Sequence, residues 1–206
     1  MKHKTFFKGA RAGTGKVFIL TGPSGVGKTT VAKRLLVAVK TLKRLVTYTT
    51  RPMRRGEKHG VAYFFISPQE FQKKLAAGEF FEHAEVYGQW YGNSAADIDA
   101  DRARGQSVLL VLDIQGAQTV KKNLPSAQMI FLEPDNLAQL SKRIASRHQQ
   151  DPLDLERRVA TAKEEMKMKT IADFVVLNHQ GKIGETVAAV KKIIFGQAAT
   201  AKAVPR

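Results

Sequence analysis

Apolar residues fall along this chain in two rhythms: short unbroken runs, and longer segments in which they recur every three or four positions. Val17 to Thr21 is the first unbroken run, the pattern of a strand with both faces buried. Thr29 to Lys40 then carries Val31, Leu35, Leu36 and Val39 at helical spacing, which predicts a helix. Leu45 to Thr49 predicts a second strand and Val61 to Ile66 a third, with the Pro- and Gly-punctuated segment Arg51 to Gly60 between them. The aromatic-rich stretch up to Tyr91 predicts further short strands. Ser94 to Arg104 has helix-forming composition, and Ser107 to Leu112 is again continuously apolar until Asp113 closes it. Met129 to Leu132 and Phe174 to Leu177 are further buried-type strands separated by polar helices. One of these opens at Asp151-Pro152, an N-cap followed by a first-turn proline, and runs to about Met168. Strands alternating with helices predict the α/β class with a parallel sheet core.

Composition narrows the picture. The 206 residues are 43% hydrophobic, enough for one sizeable core. The chain divides into a basic N-terminal tail (1–15), one domain (16–196) and a small, polar, basic C-terminal tail (197–206) expected to fray. There is no cysteine, which excludes disulfides and thiolate metal sites and makes the cytoplasm the expected setting. The five histidines have no metal-ligand spacing. No apolar run approaches the roughly 18 residues of a membrane helix, so no membrane role is expected. The formal charge is +16 and the first acidic residue is Glu57. Such a field favours polyanions; nucleotides suffice as partners, and nucleic-acid binding is compatible with the charge without being the expected function.

The strongest motif is Gly22-Pro23-Ser24-Gly25-Val26-Gly27-Lys28-Thr29, which fits G-x-x-x-x-G-K-[ST] between an expected strand and an expected helix. Its glycines let successive N–H groups face phosphate oxygens, and the helix N-terminus adds partial positive charge. Lys28 is placed to reach β- and γ-phosphates and the Thr29 hydroxyl to ligate Mg²⁺. These residues predict a nucleoside-triphosphate site.

Three more segments follow in unbroken order: Thr49-Thr-Arg-Pro-Met-Arg-Arg-Gly-Glu57 with Gly60 and Tyr63; Gly78-Glu-Phe-Phe-Glu82 through Tyr91-Gly92-Asn93; and Leu112-Asp-Ile-Gln-Gly-Ala117. Together with the phosphate loop, over residues 16–196, they resemble the guanylate kinases. That resemblance implies a phosphate-loop nucleoside-monophosphate kinase fold, with an acceptor-binding region near 47–94 and a lid near 134–160. It implies transfer of the γ-phosphoryl group of ATP to GMP with Mg²⁺ as cofactor. Position by position, it implies that Arg51, Arg54, Tyr63 and Tyr91 hold the GMP phosphate, as guanidinium forks and phenol hydroxyls can. It implies that Glu82 accepts from guanine N1–H and N2, and that Thr47 donates to O6 with Asn93 nearby. Arg143, Arg147 and Arg158 match lid arginines that close over the ATP phosphates, and Asp113 matches an acid that positions Mg²⁺ or those arginines.

Several positions depart from the pattern. Ala62 stands where an aspartate commonly precedes the clamp tyrosine, Asn93 replaces Ser or Thr, and Asn178-His-Gln lacks the usual acids. Val111 occupies a position that is acidic in many members. Two alternatives stay open at this point: a kinase for another phosphorylated acceptor on the same scaffold, and a non-catalytic binding module of guanylate-kinase-like fold.

Overall fold

The computed structural model describes residues 15–136, 138, 140, 141, 145 and 152–197, without the side chains of 152–155 and 158. At its centre is a five-stranded, wholly parallel sheet of β1 (Val17–Thr21), β2 (Leu42–Arg44), β7 (Ser107–Val111), β8 (Gln128–Pro134) and β9 (Phe174–Asn178), in the order β2-β7-β1-β8-β9. Period-two alternation sorts its side chains to two faces. Phe18, Leu20, Leu109, Ile130, Leu132 and Val176 pack on one side against α1 (Lys28–Ala38) and the C-terminal helix α6 (Ile183–Ile194). Val17, Ile19, Val108, Leu110, Met129 and Phe131 pack on the other against α3 (Ala95–Ala103) and α4 (Ile114–Asn123). Helices cover both faces, which is why β1, β7, β8 and β9 appear in the sequence as largely apolar runs, whereas the edge strand β2, Leu42-Lys43-Arg44, does not. Each fully buried Leu, Ile or Phe contributes about 1.5–3 kcal/mol.

The strand order places β7 and β8 on opposite sides of β1. The connections leaving β1 and β7 therefore open a crevice at the carboxyl edge of the sheet, where ligands bind in open α/β folds. One wall of the crevice is a second, four-stranded sheet, in the order β4-β3-β6-β5, made of β3 (Tyr48–Thr49), β4 (Phe64–Phe65), β5 (Phe80–Val86) and β6 (Gln89–Ser94). Between β8 and β9 the chain forms α5 (Pro152–Lys167), followed by a 3₁₀ turn at Met168–Ile171.

Two expected strands are corrected. Leu45–Thr49 is not one strand: β2 ends at Arg44, Leu45 still donates to the Leu109 carbonyl of the central sheet, and by Thr47 the carbonyl already accepts from Phe64 in the second sheet. Extended, apolar-rich backbone serves two sheets here, and its composition does not mark the change. Val61–Ile66 shrinks to Phe64–Phe65, because Lys58–Ala62 closes a turn through the Lys58 carbonyl. A helix also stands where only short strands were expected. α2 (Pro68–Ala76) is capped by the Ser67 side chain, which accepts from the Glu70 N–H, and the Ser-x-x-Glu spacing with proline at N1 is its signature.

The tails fall mostly outside the described residues; Gly15, where the description begins, is already docked. Its N–H donates to the Arg102 carbonyl, its own carbonyl accepts from Arg102 Nε, and a Cβ there would meet the Gln106 carbonyl oxygen at 1.8 Å. Among the described residues no helix is long and apolar enough to cross a membrane.

Candidate active site

The phosphate loop occupies the turn between β1 and α1. Gly22, Gly25 and Gly27 take φ of 138°, 80° and 105°, values that disfavour any residue with a Cβ. At Gly22 a Cβ would also lie 2.4 Å from the Leu132 carbonyl oxygen, and at Gly27 2.9 Å from Asn178 Nδ2. The first turn of α1 has no side-chain cap and no acidic residue, so no side-chain charge offsets the partial positive charge of the helix N-terminus. Lys28 Nζ donates to the carbonyls of Gly22 (2.5 Å) and Pro23 (3.2 Å). The Thr29 hydroxyl borders the same cleft.

Two residues outside the motif brace this loop. Asn178, at the end of β9, donates to the Val26 carbonyl at 2.7 Å and accepts from the Thr186 hydroxyl at 2.8 Å. Glu165 of α5 accepts from the Ser24 N–H at 3.1 Å. Burial pushes the Glu165 carboxyl above the usual range, and the Lys28 ammonium opposes that rise. The loop is thus stitched to β9 and to α5.

Across the crevice the second sheet presents the expected acceptor residues. β5 carries a bulge, with Phe80 opposite Ser94 and Glu82 opposite Asn93. The extra residue lets Phe81 enter the central core while Glu82 turns toward the cleft. Glu82 is only 2% exposed. Its Oε2 accepts from Asn93 Nδ2 at 2.6 Å, and Asn93 Oδ1 accepts from the Thr47 hydroxyl at 2.9 Å. The Thr47 proton is therefore committed to Asn93 in this arrangement. Burial raises the Glu82 pKa to about 7; the Asn93 bond works against the rise and the Asp113 carboxylate adds to it. Gly116 gives Glu82 its room, since a Cβ there would sit 2.7 Å from Glu82 Oε1.

Asp113 is the N-cap of α4, its Oδ1 accepting from the Gly116 N–H at 2.8 Å, and it borders the cleft beside Val111 and Leu112. Arg51 makes a two-pronged pair with Glu57 (2.8 and 2.9 Å), and the Arg54 N–H joins the same carboxylate at 2.8 Å. Burial alone would raise the Glu57 carboxyl, but these donors hold it below the usual range. The Tyr63 ring meets Tyr91 edge-on at 6.0 Å and has the Arg51 guanidinium 5.4 Å from its centre.

A cleft of about 220 Å³ joins the two ends. Ser24, Gly25, Lys28 and Thr29 line it on one side, Thr47, Arg54, Tyr63, Glu82 and Tyr91 on the other, and Val111, Asp113 and Gly116 between. Arg143 and Arg147 lie outside the described residues. Arg158 belongs to α5, but its side chain is not described. The neighbouring Arg157 reaches across to the acceptor side, 5.4 Å from the centre of the Tyr87 ring. Tyr87 sits in the two-residue turn of the β5–β6 hairpin at φ 51°, followed by Gly88 at 73°, the pairing a type I′ turn requires. Tyr87, Glu165 and the bracing role of Asn178 carried no motif in the sequence, and Gly116 lay inside the Leu112–Ala117 segment without an assigned role. Only the Tyr87-Gly88 turn left a signal, a glycine following a residue between two strand-like runs.

Comparison with known proteins adds four findings. The family model described as Guanylate kinase matches residues 14–197. The guanylate kinase of Symbiobacterium thermophilum is 39% identical over 185 residues, which span 90% of this chain and 87% of that protein. That of Hahella chejuensis is 42% identical over 164 residues, 80% of this chain and 79% of its own. Among solved structures, guanylate kinase from Anaplasma phagocytophilum matches with a TM-score of 0.74 at 31% identity, over 91% of this chain and 88% of that one.

Proposed function

The chain belongs to the guanylate kinase family, and from that premise we propose that its cleft moves the γ-phosphoryl group of ATP onto the phosphate of GMP, giving ADP and GDP. The observation that carries this reading is the continuity of the cleft from the phosphate loop at Lys28 to the buried carboxylate Glu82. A donor that holds phosphates and an acceptor pocket that ends in a carboxylate share one volume. Guanine offers N1–H and N2 amine donors side by side to such a carboxylate, and adenine does not.

The donor phosphates take the loop N–H groups, and Lys28 exchanges its loop carbonyls for phosphate oxygens. Arg51, Arg54, Tyr63 and Tyr91 hold the acceptor phosphate, and Arg51 must share or release Glu57 to do so. Neither a covalent nucleophile nor a general base is needed, because the acceptor is already an anionic phosphate; positioning and charge neutralisation carry the rate. Lid arginines Arg143, Arg147 and Arg158 are assigned to the transferring group, where added positive charge and exclusion of water accelerate transfer.

The Thr29 hydroxyl and the Asp113 carboxylate border the cleft and form an all-oxygen donor set of the kind Mg²⁺ prefers. Among the described residues no group of three or more His, Cys, Asp or Glu gathers around a metal position, so these two would hold an ion that keeps most of its contacts to nucleotide oxygens. When bound, Mg²⁺ supplies charge neutralisation at the β- and γ-phosphates. The setting that suits such an enzyme is the cytoplasm.

The test is ADP release with ATP and, separately, GMP, AMP, CMP and UMP. Turnover with GMP at least tenfold above the others is expected. A preference for AMP, or turnover with none of the four, overturns the reading.

A further inference from the structure

Arg44 is the last residue of β2, held to the central sheet by its register with Leu109. The chain leaves that sheet immediately afterwards for the sheet that carries the acceptor residues, so Arg44 stands at the junction between them. Its guanidinium carbon lies 5.6 Å from the centre of the Tyr63 ring, close to the 5.4 Å of Arg51 on the same ring. Its Nε is buried and donates to nothing. Among the described residues no carboxylate forms an ion pair with it, whereas Arg51 is already engaged by both oxygens of Glu57.

We propose that Arg44 is a third guanidinium of the acceptor-phosphate clamp, a positioning residue that fixes the Tyr63 ring and supplies positive charge for the bound monophosphate. This rests on the acceptor reading above and extends it to a residue outside every motif. Two guanidiniums, Arg44 and Arg51, lie on the Tyr63 ring, Glu57 pairs with Arg51, and Arg54 lines the cleft with Tyr63. Three guanidiniums against one carboxylate leave a surplus of two positive charges, which matches a phosphate monoester dianion. A buried donor without a partner is costly, and an anionic ligand drawn into this field compensates the charge of the guanidinium to which it belongs. Stacking on Tyr63 for packing alone would explain the ring contact but not the unmatched charge.

The experiment separates charge from packing. Binding of GMP, of guanosine and of ATP is measured on the full chain for wild type, Arg44→Met, Arg44→Gln and Arg44→Lys, with steady-state kinetics and thermal melting alongside. Arg44→Met is expected to weaken GMP about tenfold or more, to change guanosine and ATP less than twofold, and to raise the GMP KM more than it lowers kcat. Arg44→Lys should recover part of the loss. If Arg44→Met melts below the assay temperature, Arg44→Gln replaces it. Equal weakening of GMP and guanosine, or no change in either, would reduce Arg44 to a packing residue and overturn the proposal. If wild type binds no GMP, the acceptor reading fails and this inference fails with it; wild-type binding with an indifferent Arg44 variant sinks this inference alone.

Discussion

The two ends of the cleft, each assigned a phosphate in the proposed reaction, are built by opposite means. The donor end is built of backbone: eight consecutive residues, glycines at positive φ, a helix N-terminus, and braces from Asn178 and Glu165. The acceptor end is built of side chains from β5, β6, the connection between β2 and β3 and the loop between β3 and β4, gathered around one buried carboxylate. Backbone recognition needs no titratable group except Lys28 and tolerates few substitutions, because a Cβ at Gly22 or Gly27 strikes Leu132 or Asn178. Side-chain recognition distinguishes one base from another. Its cost is a carboxylate whose charge is lost near neutral pH.

The largest break falls at the donor end. Lys28→Ala should lower kcat by on the order of 10³-fold, since it removes a charge that must follow the transferring phosphoryl group, while GMP binding measured without ATP stays near wild type. Near-normal turnover would show that the loop does not carry the reaction.

Next in size is Glu82→Ala. Leaving guanine's N1–H and N2 without their buried acceptor should cost about 2–4 kcal/mol in kcat/KM for GMP, on the order of 10²-fold, with ATP binding unchanged. An equal loss for ATP would mean that the two ends are not separable.

Glu82 also sharpens the contrast through pH. Its pKa is raised to about 7 in the fold, so the folded state binds more protons than the unfolded one between the ordinary glutamate value and about 7. Stability of the free protein therefore falls as pH rises through that window, by up to about 3 kcal/mol for a shift of this size. Guanine binding runs the other way, because only the carboxylate can accept both donors. GMP affinity should rise about tenfold per pH unit below 7 and level off above it. Glu82→Gln should flatten both profiles and make the free protein more stable than wild type at pH 8, as chemical denaturation would read. A GMP profile that parallels the ATP profile would remove Glu82 from base recognition.

The same contrast decides what was legible in the sequence. A backbone site needs contiguous residues, so Gly22–Thr29 announced itself, as did β1, β7, β8 and β9 through their unbroken apolarity. The acceptor residues became visible only through their resemblance to a family, because Thr47, Glu82 and Asn93 are brought together by a bulge at Phe80–Glu82 and by pairing of β6 with both β5 and β3, none of which has a local signature. Asn178 looked like a lost acidic motif and is in fact the brace on Val26. Arg44 looked like one more positive charge in a chain with a formal excess of 16. The capping box at Ser67 and Glu70 was legible by rule, but the surrounding aromatics obscured it.

The smallest expected effect is at Val111, the departure that bears most directly on guanine. Val111 ends β7, pairs in register with Leu20, and packs on the core face shared with α1 while its exposed edge borders the cleft. It leaves no unpaired polar group there, so the guanine recognition proposed for Glu82 should not depend on it. Val111→Asp would set a third carboxylate in a cleft that already holds Glu82 and Asp113, and a like charge raises the pKa of its neighbours. At pH 7 that works against the ionised Glu82, while the new acceptor offers guanine another partner. The opposed effects should leave kcat/KM for GMP within about tenfold of wild type in either direction, with the GMP profile displaced to higher pH. Assayed beside Glu82→Ala with GMP and AMP, Val111→Asp must be the milder change. GMP turnover that appeared only in Val111→Asp would mean that the natural acceptor is another phosphorylated molecule, with Glu82 serving a different group on it.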